Sequence, residues 1–135
     1  MKLKKFDLEN TRSLRMEIPL VRINIILGTF GFNKSAVELL KLQSGDKLDI
    51  LQDQERRKDW YISKTNSKDG FPIRIHTKSE DSDHPSFIVD SIYMTKLILN
   101  SLNLTDKKSV DFKINTSPVH ENGMELYAII TSKQF

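Results

Sequence analysis

Residues 28–53 read GTFGFNKSAVELLKLQSGDKLDILQD, and this stretch decides the fold because its pattern recurs later in the chain. Asn33 is a good helix N-cap, and Val37 and Leu40 share one face of the short helix read over Ser35–Leu42. Ser44-Gly45-Asp46 is a stop signal. Leu48 and Ile50 then alternate with Asp49, as in a half-buried strand, and Trp60 and Ile62 alternate with Tyr61 and Ser63. The later copy opens on Asp90 or Ser91 as cap, continues with Leu97–Ile98 on a helix, and passes through Ser109-Val110-Asp111-Phe112 to Leu126-Tyr127-Ala128. The spacing between copies grows only after the helix and at the hairpin tip, where loops take insertions. Self-similarity of this kind points to two paired copies of one supersecondary unit.

Working outward, Leu14, Met16 and Ile18 alternate with charged residues up to Pro19, a strand pattern, and Arg22–Leu27 reads as a buried strand. Gly28 and Gly31 bracket a bend, with Phe32 packing as the helix begins. After the Asp69-Gly70 turn signal, Phe71, Ile73 and Ile75 face one way and Arg74, His76 and Lys78 the other. Phe87–Val89 is a short apolar strand. Met94, Leu97, Ile98 and Leu102 share a helix face, and Val110, Phe112 and Ile114 alternate with Asp111 and Lys113. Glu125–Thr131 closes the sheet with Leu126, Ala128 and Ile130 on one face. The expected order is β-β-α-β-β-β-β-α-β-β. It implies an α+β class of antiparallel sheets or a partly open barrel, with two short helices and pseudo-twofold halves. Residues 1–13 read as a basic flexible arm, and 14–135 as one domain whose halves are about 14–70 and 71–135.

Composition limits the function. Hydrophobic residues make up 38% and charged residues 29%, an ordinary globular balance. Cysteine is absent, which excludes disulfides, thiolate metal sites and cysteine nucleophiles and fits a reducing, cytoplasmic setting. No apolar run is long enough for a membrane span, and none follows the basic start as a secretory signal would require. The net charge of +3 and a pI near 9.1 permit a polyanionic partner without demanding one.

The segment Gly28–Ile50 resembles the DNA-binding half of the AbrB and MraZ group of swapped-hairpin transcription factors. Gly28, Phe30, Phe32, Leu39-Leu40-Lys41-Leu42 and Gly45-Asp46-Lys47-Leu48-Asp49-Ile50 carry the resemblance. It implies a strand, a short helix and a Gly-Asp turn leading into a strand, with two such units intertwined in a barrel that meets DNA through basic loops. Asn33 stands where that group has a proline, and the second copy offers Thr105-Asp106-Lys107 in place of the Gly-Asp turn. The ββββα order over 47–102 also resembles Whirly proteins, Pur-type proteins and the eukaryotic positive cofactor four. That likeness implies single-stranded DNA laid across an open curved sheet.

Arg56-Arg57-Lys58 forms a basic hairpin tip that could grip phosphates; a solvated tip offset by Glu55 and Asp59 fits the same residues. Tyr61, Arg74, Lys78, Lys113 and Tyr127, with His76, are expected on the sheet face opposite Trp60, Ile73, Phe112 and Leu126. Aromatic residues among cations on one face suit single strands, and ordinary solvent-facing strand positions have the same pattern. Glu80-Asp81-Ser82-Asp83-His84 lacks the glycine bend and distant glutamate of a calcium loop, and His76, His84 and His120 have no zinc spacing. No metal, cofactor or catalytic constellation is expected. The sequence reading is a small DNA-binding regulator or single-strand binder, DNA ahead of RNA, with homo-oligomerisation open. The alternative is a structural or protein-interaction module.

Overall fold

The computed structural model describes residues 1–5, 18–76 and 86–135. Among the described residues nine strands and two helices follow in order: β1 Leu20–Asn24, β2 Thr29–Phe32, α1 Lys34–Leu40, β3 Lys47–Gln52, β4 Trp60–Thr65, β5 Phe71–His76, β6 Ser86–Asp90, α2 Ile92–Ser101, β7 Ser109–Lys113, β8 Val119–Glu121 and β9 Met124–Ile129. They form one antiparallel sheet in the order β7-β1-β2-β6-β5-β3-β4-β9-β8. The sheet curls on itself. Ile114, just past β7, bridges Ile129 at the end of β9. Asn115 and Ile130 donate their N–H groups to the carbonyls of Ala128 and Lys113, each at 2.8 Å. The result is a mixed α+β fold with a partly open barrel, which leaves few strand edges unpaired.

Alternation sorts the strand residues into inside and outside. Val21, Ile23, Phe30, Phe32, Leu48, Trp60, Ile62, Ile73, Val89, Val110, Phe112, Ile114 and Ile129 are buried in one cluster, joined by Ala36 and Leu40 from α1 and Ile98 and Leu99 from α2. Each buried valine, leucine, isoleucine or phenylalanine among them contributes roughly 1.5–3 kcal/mol by leaving water. The indole N–H of Trp60 donates to Ser101 Oγ at 3.0 Å and so fixes α2 over the interior.

Caps tie the helices to the strands. Asn33 Oδ1 accepts from Ala36 N at 2.9 Å and from Leu20 N at 3.0 Å, while its Nδ2 donates to the Ile18 carbonyl at 2.7 Å. One amide therefore caps α1 and fastens the start of β1, a task proline could not do. Ser91 is the cap of α2, its Oγ accepting from Met94 N. The Asp46 carboxylate accepts from Gln43 N at 2.8 Å and lies 3.2 Å from Lys64 Nζ, so the Gly-Asp turn clamps the way into β3.

The structure corrects three readings. Gly28, at φ +66°, completes the turn, but Gly31 lies in a second strand rather than at a bend, because Phe30 and Phe32 can both point inward from Thr29–Phe32. Residues 25–27 are then a turn rather than the end of a strand, the side chain of Asn24 accepting from Ile26 N and Leu27 N. Helix α1 ends before Leu42: Lys41 takes the left-handed conformation, and Leu42 N donates back to Val37 O. The short edge strand β8, paired with β9, is an addition to the expected order. The strand read at 14–18 falls, apart from Ile18, outside the described residues, as do most of the basic arm and the acidic loop at 80–84. Among the described residues no helix is long and apolar enough to cross a membrane.

Candidate nucleic-acid interface

The hairpin joining β3 to β4 projects from the barrel with its turn locked from within. Asp53 Oδ1 accepts from Glu55 N at 2.9 Å, and Asp59 N donates to Arg56 O at 2.8 Å. Gln52 Nε2 donates to Arg57 O at 2.7 Å, and Thr131 Oγ1 donates to Lys58 O at 2.6 Å. The tip backbone is thus committed, and Arg56, Arg57 and Lys58 extend their side chains into water. Arg56 reaches Asp59 only at 3.9 Å, with its side chain 79% exposed, a pairing weak enough to exchange for a phosphate.

Below the tip, an open groove of about 400 Å³ is lined by Lys58, Asp59, Trp60 and Tyr61 on one side and Ala128–Ser132 on the other. Tyr61 lies directly opposite Ala128 and therefore shares its outward face. On the next strand Lys113 is exposed beside Ile130, its Nζ 5.4 Å from the centroid of the Phe135 ring. Phe135 is folded back by a hydrogen bond from its N–H to Asp111 O. Among the described residues no carboxylate lies within ion-pair distance of Arg57, Lys58 or Lys113. Further along this outer surface Arg22 is held by Asp111 at 2.7 and 3.2 Å, so its charge is already matched.

Of the residues singled out in the sequence, Lys58 and Tyr61 line this groove, Arg56 and Arg57 stand exposed at the tip next to Lys58, and Lys113 lies beside Ile130 of the opposite wall; Lys78 is outside the described residues. Arg74 and Tyr127 do not join them. Arg74 lies on β5, which pairs with the first residues of β3, whereas the tip lies past its last; a six-residue strand, about 20 Å, separates the two along β3. Arg74 also grips Asp90 through Nε and Nη2 at 2.9 and 3.1 Å. Tyr127 pairs with Ile62 and faces the same way as Trp60 and Ile129, half-buried against the core. Leu126, expected inside, is buried but outside the core cluster, next to β8. The tyrosines thus lie on opposite faces because β9 takes its register from Ile129, which is anchored between Trp60 and Ile114.

Tyr127 has a different attachment. Its hydroxyl donates to Glu125, and that bond, with lesser help from burial, pushes the phenol up to about 12. Sequence reasoning passed over Phe135 and Thr131; the only signal was an aromatic residue and a hydroxyl flanking Lys133. Among the described residues no group of three or more His, Asp or Glu is placed to hold a metal. No protein-family model, curated protein or solved structure matches this chain.

Proposed function

We propose that the protein binds nucleic acid, DNA ahead of RNA, as a cytoplasmic transcription regulator or single-strand binder. The contact surface is the β3–β4 tip with the outer face of β4, β9 and β7. The observation that carries this reading is an open groove lined by Lys58 and Tyr61, with Arg56 and Arg57 exposed at the adjoining tip and Lys113 beside Ile130 of the opposite wall. The four cations displace counterions condensed on the phosphates, and Tyr61 offers its ring to an unpaired base.

In this reading the chain is two copies of a β-β-α-β-β unit related by an approximate twofold axis, each containing the strand–helix–strand run that resembles the AbrB and MraZ group. The first copy is β1, β2, α1, β3 and β4; the second is β5, β6, α2, β7 and β9. Exchanging the two sets leaves the neighbour order of these eight strands unchanged, counting the bridge from Ile114 to Ile129. The exchange also carries Ile23↔Phe30 onto Ile73↔Val89, Val21↔Phe112 onto Phe71↔Leu48, and Ile50↔Ile62 onto Ile114↔Ile129. Tyr61 and Ala128 exchange with each other, so the proposed surface lies across the axis.

Fluorescence anisotropy with labelled single- and double-stranded oligonucleotides at about 50 and 200 mM salt tests the function. Binding that weakens steeply with salt is expected for at least one of them, and salt-insensitive or absent binding to both ends the proposal. A second reading, a protein-interaction module, is favoured by a separate observation: Ile26, Leu27, Ile92 and Tyr93 are large, apolar and well exposed.

A further inference from the structure

We infer that the turn between β1 and β2, together with the exposed face of α2, is the contact through which two copies of this chain pair. Ile26 and Leu27 stand at the turn with 69% and 68% of their surface exposed. They are presented rigidly: Asn24 Oδ1 accepts from both of their N–H groups, and Ile25 N donates to Lys108 O. The turn is seated on the start of α2. Ser91 N donates to Gly28 O at 2.9 Å, and a β-carbon on Gly28 would fall 2.3 Å from Ile92 Cγ1. Ile92 and Tyr93 are therefore neighbours of the turn, 58% and 73% exposed, and Leu97 lies one helical turn beyond Tyr93.

The five side chains offer roughly 500–600 Å² of apolar surface on each chain, the upper end of what a monomer exposes, and two such patches with their polar rims reach the lower range of specific interfaces near 1,200 Å². A patch that meets its own copy makes an isologous contact: Ile26 and Leu27 of one chain rest on Tyr93 and Leu97 of the other, and reciprocally. The corresponding start of α1 carries Lys34 and Ser35, so it offers no second apolar patch and pairing stops at two. None of the hairpin-tip residues belongs to the patch, so pairing and polyanion binding are separable.

Sedimentation equilibrium across the micromolar range, on the full chain and on Leu27→Glu and Tyr93→Glu variants, tests the inference. The unaltered chain is expected to sediment as a dimer. Each variant should raise the dissociation constant at least tenfold while keeping its far-UV circular dichroism and melting temperature. A chain that is monomeric throughout, or a dimer that both variants leave intact, overturns the inference. So does a monomer that instead binds anionic phospholipid vesicles through these residues.

Discussion

Arg74 and Asp90 form a two-pronged ion pair across adjacent strands, Nε to Oδ2 at 2.9 Å and Nη2 to Oδ1 at 3.1 Å. The pair removes from consideration the cation that alternation alone would place beside a nucleic acid. Chiefly through that hydrogen bond, Arg74 holds the Asp90 carboxyl below the ordinary aspartate value. A carboxyl depressed in the fold stabilises it above its unfolded pKa, and the contribution is lost as pH falls through the folded value. Asp90→Asn should therefore flatten the fall of melting temperature below about pH 4, where an ordinary aspartate titrates. Because both groups are exposed the change is small, and an identical acid limb in variant and parent would contradict it.

Substituting Arg56, Arg57 and Lys58 together by alanine should leave the melting temperature within a degree or two, since their side chains stand in water. Nucleic-acid affinity should drop at least tenfold, and the slope of log K against log salt should shrink by up to about three. Arg74→Ala, measured alongside, should leave both unchanged. Equal losses in the two variants would show that the tip has no special part.

Glycine substitutions should rank by geometry. Gly28→Ala combines φ +66° with a β-carbon 2.9 Å from the Ile92 Cα and should cost about 2–4 kcal/mol. Gly123→Ala has φ +77° but open space and should cost about 1 kcal/mol. Gly31→Ala meets nothing within 4 Å at an ordinary φ and should be close to neutral. Urea melts give the order directly.

Asn33→Ala removes a cap and leaves Leu20 N and Ile18 O without the side chain they share, for a loss of about 2 kcal/mol. Asn33→Asp keeps the two accepted bonds and loses only the donated one, so denaturant titration should place it between the parent and the alanine variant.

Tyr127 stays protonated to about pH 12. A phenol raised in the fold stabilises it below the unfolded value near 10, and that contribution disappears as pH climbs through the folded value. Tyr127→Phe should therefore lower stability at neutral pH and show a shallower alkaline decline. The ultraviolet titration of the parent should contain one tyrosine fewer below pH 11 than its three tyrosines would otherwise give. A variant whose ultraviolet titration below pH 11 falls one tyrosine short of the parent's would place the late phenol elsewhere.

Much of the architecture was legible because local rules carry it. Apolar residues two apart marked β3, β4, β5, β7 and β9, Asn33 and the pair Asp90–Ser91 marked the helix starts, and the hairpin tip followed from two alternating runs around Gln54–Lys58. The β1–β2 region was misread because Gly28 and Gly31 look alike as letters. Only Gly28 turns the chain, while Gly31 lies flat in a strand.

The site was legible only in part. Alternation in the sequence determined which residues of a strand share a face: Tyr61 with Ser63, and Tyr127 with Ile129. It also determined that Arg56, Arg57 and Lys58 would sit at a polar tip. Which face of each strand turns inward, which strands become neighbours, and which cations find carboxylates were decided only by the tertiary structure. Those outcomes depend on pairings between residues far apart in the chain, Ile129 with Trp60, Ile114 with Ile129 and Arg22 with Asp111, and a period-two pattern is unchanged when a strand is turned over.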